Sequence, residues 1–292
     1  MDATDWLAQR FEEHRPHLRS VAYRMLGSLT EADDAVQDAW LRVSGASTND
    51  VDNLRGWLTT VVARVCLNML RTRTRRREDS LEAHVPDPLI GPSGELRPED
   101  EVLLADSVGL ALLVVLDTLS PAERLAFVLH DMFGLPFEEI GPMVGRSPVA
   151  ARQLASRARR RVRTAEPPAS DVDVARQREV VDAFFRAARD GHFDRLVALL
   201  HADVVLRADY GRGRPGSRVF RGAAAVARQA RSIPGAVVRP ALVSGAAGAV
   251  VILRGQPVAV MGFTIVDGRI VEIDAIADPR RVASLVPPGM VD

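Results

Sequence analysis

The sequence predicts a multidomain protein in which two all-α helical domains precede an α+β domain. Three observations predict this fold class. Apolar residues recur at helical spacing over 6–73 and again over 99–163, a proline-rich stretch separates these ranges, and apolar runs of strand length follow residue 200. Helices followed by strands indicate that the α+β part is a separate unit. The predicted domains are 1–75, 99–164 and 174–292, and the predicted linkers are 76–98 and 165–173.

The composition is that of a globular protein. Hydrophobic residues make up 47% of the 292 residues, which is enough for real cores. No apolar run is long enough to predict a membrane span, and the first residues lack the apolar segment of a signal peptide. The single cysteine, Cys66, excludes an internal disulfide and fits a reducing compartment. We therefore expect a cytoplasmic protein.

The net charge is zero, but the charges are unevenly distributed. Residues 55–77 hold seven arginines and no acidic residue, and 152–163 hold six arginines and no acidic residue. All 38 basic residues are arginines, which codon bias in a G+C-rich genome explains, so only their clustering is informative. Basic stripes on selected segments are the electrostatic footprint of a protein that binds a phosphate backbone.

The first helical domain is predicted to contain three helices. The first ends before Gly27. The second has Thr30 as its expected N-cap, with Asp33 at the capping-box position. A polar loop over 45–53 leads to a long helix over 54–73. The segment after it, 76–98, contains prolines that cannot continue a helix and is predicted to be an exposed, mobile linker.

The second helical domain is predicted to contain a helix–turn–helix. An apolar helix over 102–119 precedes Ser120-Pro121-Ala122-Glu123, a capping box with proline at the first helical position. A short helix over 137–144, a turn containing Gly145 and a helix over 148–163 follow.

The C-terminal domain is predicted to contain two helices, over 174–189 and 193–200, and then strands. The strand-like runs are 204–206, 237–238, 249–253, 258–264 and 270–275. Asp267-Gly268 separates the last two runs and is a strong hairpin signal.

Three blocks of the helical part resemble bacterial sigma factors. Residues 34–43 (DAVQDAWLRV) resemble the segment of sigma region 2 that grips RNA polymerase, and 56–71 (GWLTTVVARVCLNMLR) resemble its promoter-melting helix. Residues 118–161 resemble sigma region 4. Their order and spacing are similar to those of a two-domain sigma factor of the extracytoplasmic-function (ECF) type. The resemblance covers about residues 6–163 and implies promoter-specific transcription initiation.

Residues 180–204 resemble the SnoaL-like branch of the nuclear transport factor 2-like cone fold. A subgroup of ECF sigma factors carries such a domain, which implies that it contacts the sigma core and modulates activity in place of a separate anti-sigma protein. Many members carry an Asp-Gly-Gly-Gly-Lys-like loop there. The corresponding regulatory loop here is Asp209, Tyr210, Gly211, Arg212 and Gly213, a departure that leaves its contact open.

The second helix of the helix–turn–helix is expected in the major groove of an upstream promoter element. Four residues share one solvent face and are candidates for contacts with base edges: Arg152, Gln153, Ser156 and Arg157. Three apolar residues are expected to pack inward: Val149, Leu154 and Ala158. Four more arginines suit phosphate contacts: Arg159, Arg160, Arg161 and Arg163. The alternative is a solvated arginine face on an ordinary helix.

The helix over 54–73 is, by resemblance, the element that holds single-stranded bases of a downstream promoter element. Arg64, Asn68 and Arg71 lie on one stripe, from which asparagine can bond a base edge and arginine can stack or neutralise phosphate. Further arginines continue this basic track: Arg55, Arg73, Arg75, Arg76 and Arg77.

The second helix has an acidic face, which repels DNA and therefore suits a protein partner. By resemblance, this partner is core RNA polymerase, through the coiled-coil of its largest subunit and its flap region. The implied polymerase contacts are Asp34, Gln37, Asp38, Trp40 and Leu41. An ordinary solvated helix is the alternative.

No pattern predicts a metal, a cofactor or a catalytic site in the helical part; His14 and His17 are spaced i, i+3 without a clear third ligand and are expected at the surface. A cone can enclose an apolar pocket with a carboxylate acid or base. The C-terminal domain is therefore open to three interpretations: a regulator that contacts protein, a small-molecule sensor, or an enzyme. Its polar candidates are His201, Asp203, Asp209, Tyr210 and Asp274.

The leading hypothesis is a monomeric, non-enzymatic sigma factor that its C-terminal domain regulates in cis. The alternative is a ligand-sensing helix–turn–helix regulator that is not a sigma factor. Residues 30–71 discriminate between them, because a plain repressor needs neither an acidic polymerase face nor a strand-opening helix.

Overall fold

The structure is a computed structural model that describes residues 3–45, 53–77, 84–91, 109–165, 171, 173–211, 217–230 and 233–290. The chain forms two compact units. The helical unit combines 1–80 with 112–166, and the α+β unit combines 81–111 with 167–292. The predicted fold class, helices followed by an α+β domain, is confirmed. Across the described residues, no helix is both long and apolar enough to cross a membrane.

The helical unit begins with three helices that pack on one another: α1 (Ala3–Leu26), α2 (Leu29–Val43) and α3 (Leu54–Arg77). Gly27 ends α1 with a φ of 70°, a left-handed conformation that favours glycine. The prediction of Thr30 as the N-cap of α2 is wrong. Ser28 caps this helix, because serine is a better cap than threonine and comes first in the chain, and its hydroxyl accepts from the Glu31 N–H.

The second half of the helical unit contains the predicted helix–turn–helix. Its helices are α4 (Leu110–Asp117), α5 (Pro121–Phe127), α6 (Phe137–Val144) and α7 (Pro148–Ala165), with a π-helical turn at Val128–Met132. The capping box of Ser120 and Glu123 is confirmed at the start of α5. The apolar helix predicted over 102–119 is observed only as α4, and 102–108 lie outside the described residues.

The α+β unit is built on a seven-stranded sheet. Its strands are β1 (Ile90–Gly91), β2 (Leu200–Asp209), β3 (Arg218–Arg221), β4 (Ala236–Val243), β5 (Ala246–Leu253), β6 (Gln256–Val266) and β7 (Arg269–Ile276). Their order is β1-β4-β5-β6-β7-β2-β3, and only the β2–β7 pair is parallel. The predicted hairpin joins β6 and β7, with positive φ at both Asp267 and Gly268.

The two faces of this sheet are covered differently. Helices α8 (Val174–Asp190), α9 (Phe193–Leu199) and α10 (Ala223–Gln229) pack on one face. The other face forms a second core with Val85, Ile90 and Leu110 and with Val282 of α11 (Pro279–Leu285). Part of the chain between the two helical segments therefore belongs to the C-terminal sheet.

The prediction that 76–98 is an exposed linker is wrong for its central part. Residues 85–91 are buried, and Ile90 and Gly91 pair with β4 as an edge strand. Prolines exclude a helix but are tolerated in extended chain at a sheet edge, which is why the proline content misled the prediction. Backbone bonds with Ser244 hold the segment, since Leu89 donates its N–H to the Ser244 hydroxyl and its carbonyl accepts from the Ser244 N–H.

Candidate nucleic-acid interface

Two glycines fix the turn of the helix–turn–helix. Gly145 ends α6 with a φ of 68°. The Gly141 carbonyl accepts the Arg146 N–H at 2.9 Å, and a Cβ on Gly141 would lie only 2.8 Å from the Arg146 carbonyl oxygen. Ser147 then accepts the Ala150 N–H in the first turn of α7. The position at which α7 begins is therefore set by the backbone itself.

One face of α7 is exposed and carries the predicted DNA contacts. Its exposed members are Val149, Arg152, Gln153, Ser156, Arg157, Arg160, Arg161 and Arg163, whereas Arg159 is half-buried. The opposite face buries Ala151, Ala155, Ala158 and Val162. The prediction that Val149 packs inward is wrong, because it precedes Ala151 by two residues and therefore lies about 200° away around the helix.

Acidic residues of the same unit orient several of these arginines. Glu123 binds both Arg157 and Arg161, at 3.3 and 3.1 Å, and Asp131 binds Arg159 at 2.5 Å. Burial alone would raise the pKa of Glu123, but hydrogen bonds from Ser120 and the neighbouring arginines hold it below its usual value. These arginines are therefore partly neutralised before any phosphate approaches.

Helix α3 carries a second exposed basic stripe. Arg64, Asn68 and Arg71 are exposed at the predicted spacing, and among the described residues the structure gives the Arg64 and Arg71 guanidiniums no hydrogen-bond partner. Arg55 is also exposed, but it contacts the His17 ring, which bonds Thr59 on its other side. His17 is thus a half-buried contact of α1 with α3 rather than a surface residue.

Arg73 does not belong to the exposed track in which the sequence placed it. Its guanidinium binds Glu31 at 2.8 Å and the Leu26 carbonyl at 3.0 Å, and lies 3.7 Å from Asp117. Arg75 is exposed, while the side chains of Arg76 and Arg77 lie outside the described residues. The exposed basic track therefore lacks Arg73 but includes Arg75.

Helix α2 presents the predicted protein-binding face. Asp34, Gln37 and Leu41 are exposed at i, i+3 and i+7, and the Leu41 side chain is 65% exposed. Asp38 pairs with Arg42 at 2.8 Å. Trp40 is half-buried and packs on Phe11, with 5.1 Å between ring centroids. Trp40 therefore supports the helix from below, and the exposed surface is formed by the other residues.

A buried arginine that the sequence did not single out ties the two halves of the helical unit together. Arg124 in α5 donates to the Arg24 carbonyl at 3.3 and 3.2 Å and binds Asp117 at 2.7 Å. Arg24 in turn lies over the Phe133 ring. The sequence does offer a signal for this role, because Arg124 lies one helical turn before Val128 on a helix face that is otherwise apolar.

Asp209, the first residue of the predicted regulatory loop, is a buried acceptor. Its carboxylate accepts from the N–H groups of Val85 and Gly211, from Ser217 and from Arg281, the last at 2.7 Å. Burial alone would raise the pKa of Asp209, but these donors and the nearby His84 hold it well below its usual range. Tyr210 is exposed, and Arg212 and Gly213 lie outside the described residues.

Arg281 completes this contact with residues 85–87. Its guanidinium also binds Asp87, at 3.0 Å through Nε, and the Val85 carbonyl at 2.6 Å. The C-terminal α+β unit therefore binds residues 85–87 of the predicted linker through both backbone and side-chain groups.

The polar candidates of the C-terminal domain do not converge on one place. His201 and Asp203 are exposed near the start of β2. Asp274 is buried in β7 and accepts from Arg207 at 3.0 Å, while Arg207 also binds Glu272 at 2.8 Å. Burial, opposed by Arg207, raises the pKa of Asp274 to about 6. This arrangement is a shared ion pair within the sheet.

The chain is similar to known proteins over both of its units. Sigma-70 region 2 matches residues 10–76, and Sigma-70, region 4 matches residues 109–162. The ECF RNA polymerase sigma factor SigJ of Mycobacterium tuberculosis is 38% identical, over 93% of this chain and 91% of its own. The probable ECF RNA polymerase sigma factor SigI of the same species is 34% identical over 98% of each chain. The crystal structure of SigJ aligns with a TM-score of 0.69 at 32% identity, over 94% of this chain and 97% of that one.

Proposed function

Because this chain belongs to the ECF RNA polymerase sigma factors, we propose that it binds core RNA polymerase and directs it to promoters through two DNA elements. The polymerase carries out the chemistry, and this chain supplies recognition. The observation that carries the proposal is that the two basic stripes, on α3 and α7, are exposed while the apolar faces of the same helices are buried.

The upstream element is bound by α7 in the major groove. Arg152 and Gln153 lie near the start of the helix, from which recognition helices contact base edges. Arginine pairs well with guanine and glutamine with adenine. The Arg152 guanidinium stacks over Phe137 at 5.4 Å, which limits its freedom before binding. Arg160 and Arg163 farther along suit phosphates.

The downstream element is held as single strand along α3. Arg64, Asn68 and Arg71 supply cations and an amide on one exposed stripe. Because Arg64 and Arg71 have no acidic partner among the described residues, they meet phosphates or bases without first breaking an ion pair. Arg55 lies at the start of the same helix, supported by His17.

Core polymerase is bound by the exposed face of α2. Leu41 supplies an apolar anchor, and Gln37 and Asp34 supply acceptors one and two turns away, respectively. Asp38 lies beside them in its pair with Arg42, and Trp40 holds the helix against α1. We place this action in the cytoplasm and assign one copy of the chain to each polymerase.

The C-terminal α+β unit restrains the sigma regions in cis. Two observations support this part of the proposal. Residues 85–91, which connect α3 to α4, are bound into the C-terminal sheet, and Arg124 holds α5 against α1 within the helical unit. To reach two separate DNA elements, α3 and α7 must move apart. This movement breaks the contact of Arg124, and the sheet opposes it by holding part of the chain that connects α3 to α4. The free protein is therefore the restrained member of a two-state equilibrium.

Run-off transcription with purified core polymerase tests the whole proposal on a library of promoter fragments. The proteins are the full chain, a 1–165 truncation and Gln153→Ala in the full chain. We expect specific initiation by the full chain, more initiation by the truncation, and a changed preference at one upstream position for Gln153→Ala. Val237→Ala is the matched control, because this valine is exposed in β4 and is none of the proposed contact residues.

Two results would contradict different parts. If neither the full chain nor the truncation initiates or binds core polymerase, the assignment as a sigma factor fails. If both initiate equally and bind polymerase with equal affinity, recognition stands and regulation by the C-terminal unit fails.

A further inference from the structure

The start of α7 carries an apolar side chain that the DNA contacts proposed above do not use. Val149 is 65% exposed, as much as Leu41 and more than any other large apolar side chain described. It follows Pro148, the first residue of α7, and lies in the first helical turn. None of the residues that the structure describes covers this side chain.

Val149 continues the exposed face that carries the predicted base contacts. Arg152, Gln153 and Ser156 follow it at i+3, i+4 and i+7, which are the positions that share a helix face. The buried face runs through Ala151, Ala155 and Ala158 on the other side. Whatever surface Arg152 and Gln153 meet, the Val149 side chain meets as well.

The backbone fixes this position. Gly141 and Gly145 determine the turn, and the bond from the Ala150 N–H to the Ser147 hydroxyl holds the first turn of α7. The isopropyl group of valine is itself stiff, because β-branching restricts its first side-chain torsion. A rigid apolar group at a fixed depth can therefore distinguish surfaces that differ by one methyl group.

The major groove offers one apolar feature, the C5-methyl group of thymine. Valine has no donor or acceptor with which to bond a base edge. We propose that Val149 is a specificity-determining residue that selects thymine at one position of the upstream promoter element by packing on its methyl group. This inference rests on the proposed function and adds an apolar contact to the polar ones of Arg152 and Gln153.

Deoxyuridine tests the contact directly, since it differs from thymidine only by this methyl group. Each thymine of the preferred upstream element, on either strand, is replaced singly, and binding of the holoenzyme is measured. We expect one position at which the replacement weakens binding by about fourfold for the wild type, the size expected for one buried methyl group. With Val149→Ala, the penalty at that position falls to near unity while penalties elsewhere are unchanged.

Val237→Ala is the matched control, an exposed valine of the α+β unit, and it retains the wild-type penalty. The proposed role of Val149 is wrong if no deoxyuridine replacement weakens binding of the wild-type holoenzyme, or if Val149→Ala leaves the penalty at its position intact. Specific initiation would continue in both cases. A preferred element without an A·T pair under the first turn of α7 contradicts this role equally. Failure of the wild-type protein to initiate at any specific promoter contradicts the sigma factor assignment instead.

Discussion

Two arginines hold distant parts of the chain together, one in each unit, and they differ in charge balance. Arg124 reaches a carbonyl 100 residues away and shares Asp117 with Arg73, so two cations meet one carboxylate. Arg281 reaches a carbonyl 196 residues away and binds two carboxylates, of Asp87 and Asp209. Removing Arg124 leaves Arg73 beside Asp117, whereas removing Arg281 takes the same cation away from both Asp87 and Asp209.

This difference teaches which contact is the more sensitive to substitution. A buried ion pair adds little net stability, but removing one partner is costly because the remaining charge stays desolvated. Substitution of Arg281 is therefore predicted to destabilise the protein more than substitution of Arg124, although Arg124 is the more deeply buried, at 2% against 20% side-chain exposure.

The largest effect is expected for Arg281→Met in the full chain. We expect the α+β unit to lose about 3 kcal/mol of unfolding free energy at pH 7, a value at the low end for a buried pair because Arg281 is partly exposed. Hydrogen exchange followed by mass spectrometry measures it through faster exchange of the Val85 and Leu89 amides. In run-off transcription the same variant initiates more than the wild type.

The control for Arg281 is its neighbour Arg280, an exposed residue of α11. Arg280→Met should leave exchange at residues 85–91 and initiation unchanged. Unaltered exchange in Arg281→Met would show that the sheet and Ser244 alone hold the segment.

A smaller effect is expected for Arg124→Met, on the order of 2 kcal/mol, because the Arg24 carbonyl loses a donor while Asp117 retains Arg73. Tryptophan fluorescence measures it during urea unfolding, since Trp6, Trp40 and Trp57 all belong to the helical unit. If Arg124→Met destabilises the protein more than Arg281→Met, the argument from charge balance is wrong.

The third effect is one of pH and concerns Asp274, which shares Arg207 with Glu272. Its folded-state pKa of about 6 is above the value of about 4 for an unfolded aspartate, so the folded state binds more protons between these values. Stability should therefore fall as pH rises from about 4 to 6 and then level off. Urea unfolding followed by circular dichroism at several pH values measures this slope.

Asp274→Asn should flatten that slope, since asparagine does not titrate. Glu272→Gln is the informative companion, because it leaves Arg207 to Asp274 alone and lowers the pKa of this carboxyl. A slope between pH 4 and 6 that persists unchanged in Asp274→Asn would assign it to other groups.

Local patterns predicted the elements that local chemistry determines. The capping box at Ser120, the turn at Gly145 and the stripe of Arg64, Asn68 and Arg71 follow from spacing alone, and each is present. The hairpin at Asp267 and Gly268 was equally accessible, because its two residues encode the turn.

Long-range partners were not accessible from spacing. Residues 85–91 seemed to be a linker because their prolines exclude helix, while the strand that covers them lies near residue 243. Arg73 was counted in the exposed basic track and Arg124 was not singled out, although both are bound by groups from other helices. The orientation of Val149 was missed because the first buried residue of α7 is Ala151, two positions later, although Ala158 is buried as predicted.

The pairing of residues 85–91 with the C-terminal sheet has a consequence for protein synthesis. Leu89 bonds Ser244, 155 positions later in the chain, and Arg281 comes later still. At the roughly 5–20 residues per second of translation, on the order of ten seconds separates the emergence of α7 from that of α11. During this interval the nascent chain has its sigma regions but not the groups that we propose restrain them. Under that proposal, each new molecule passes once through a stage in which its sigma regions are not yet restrained.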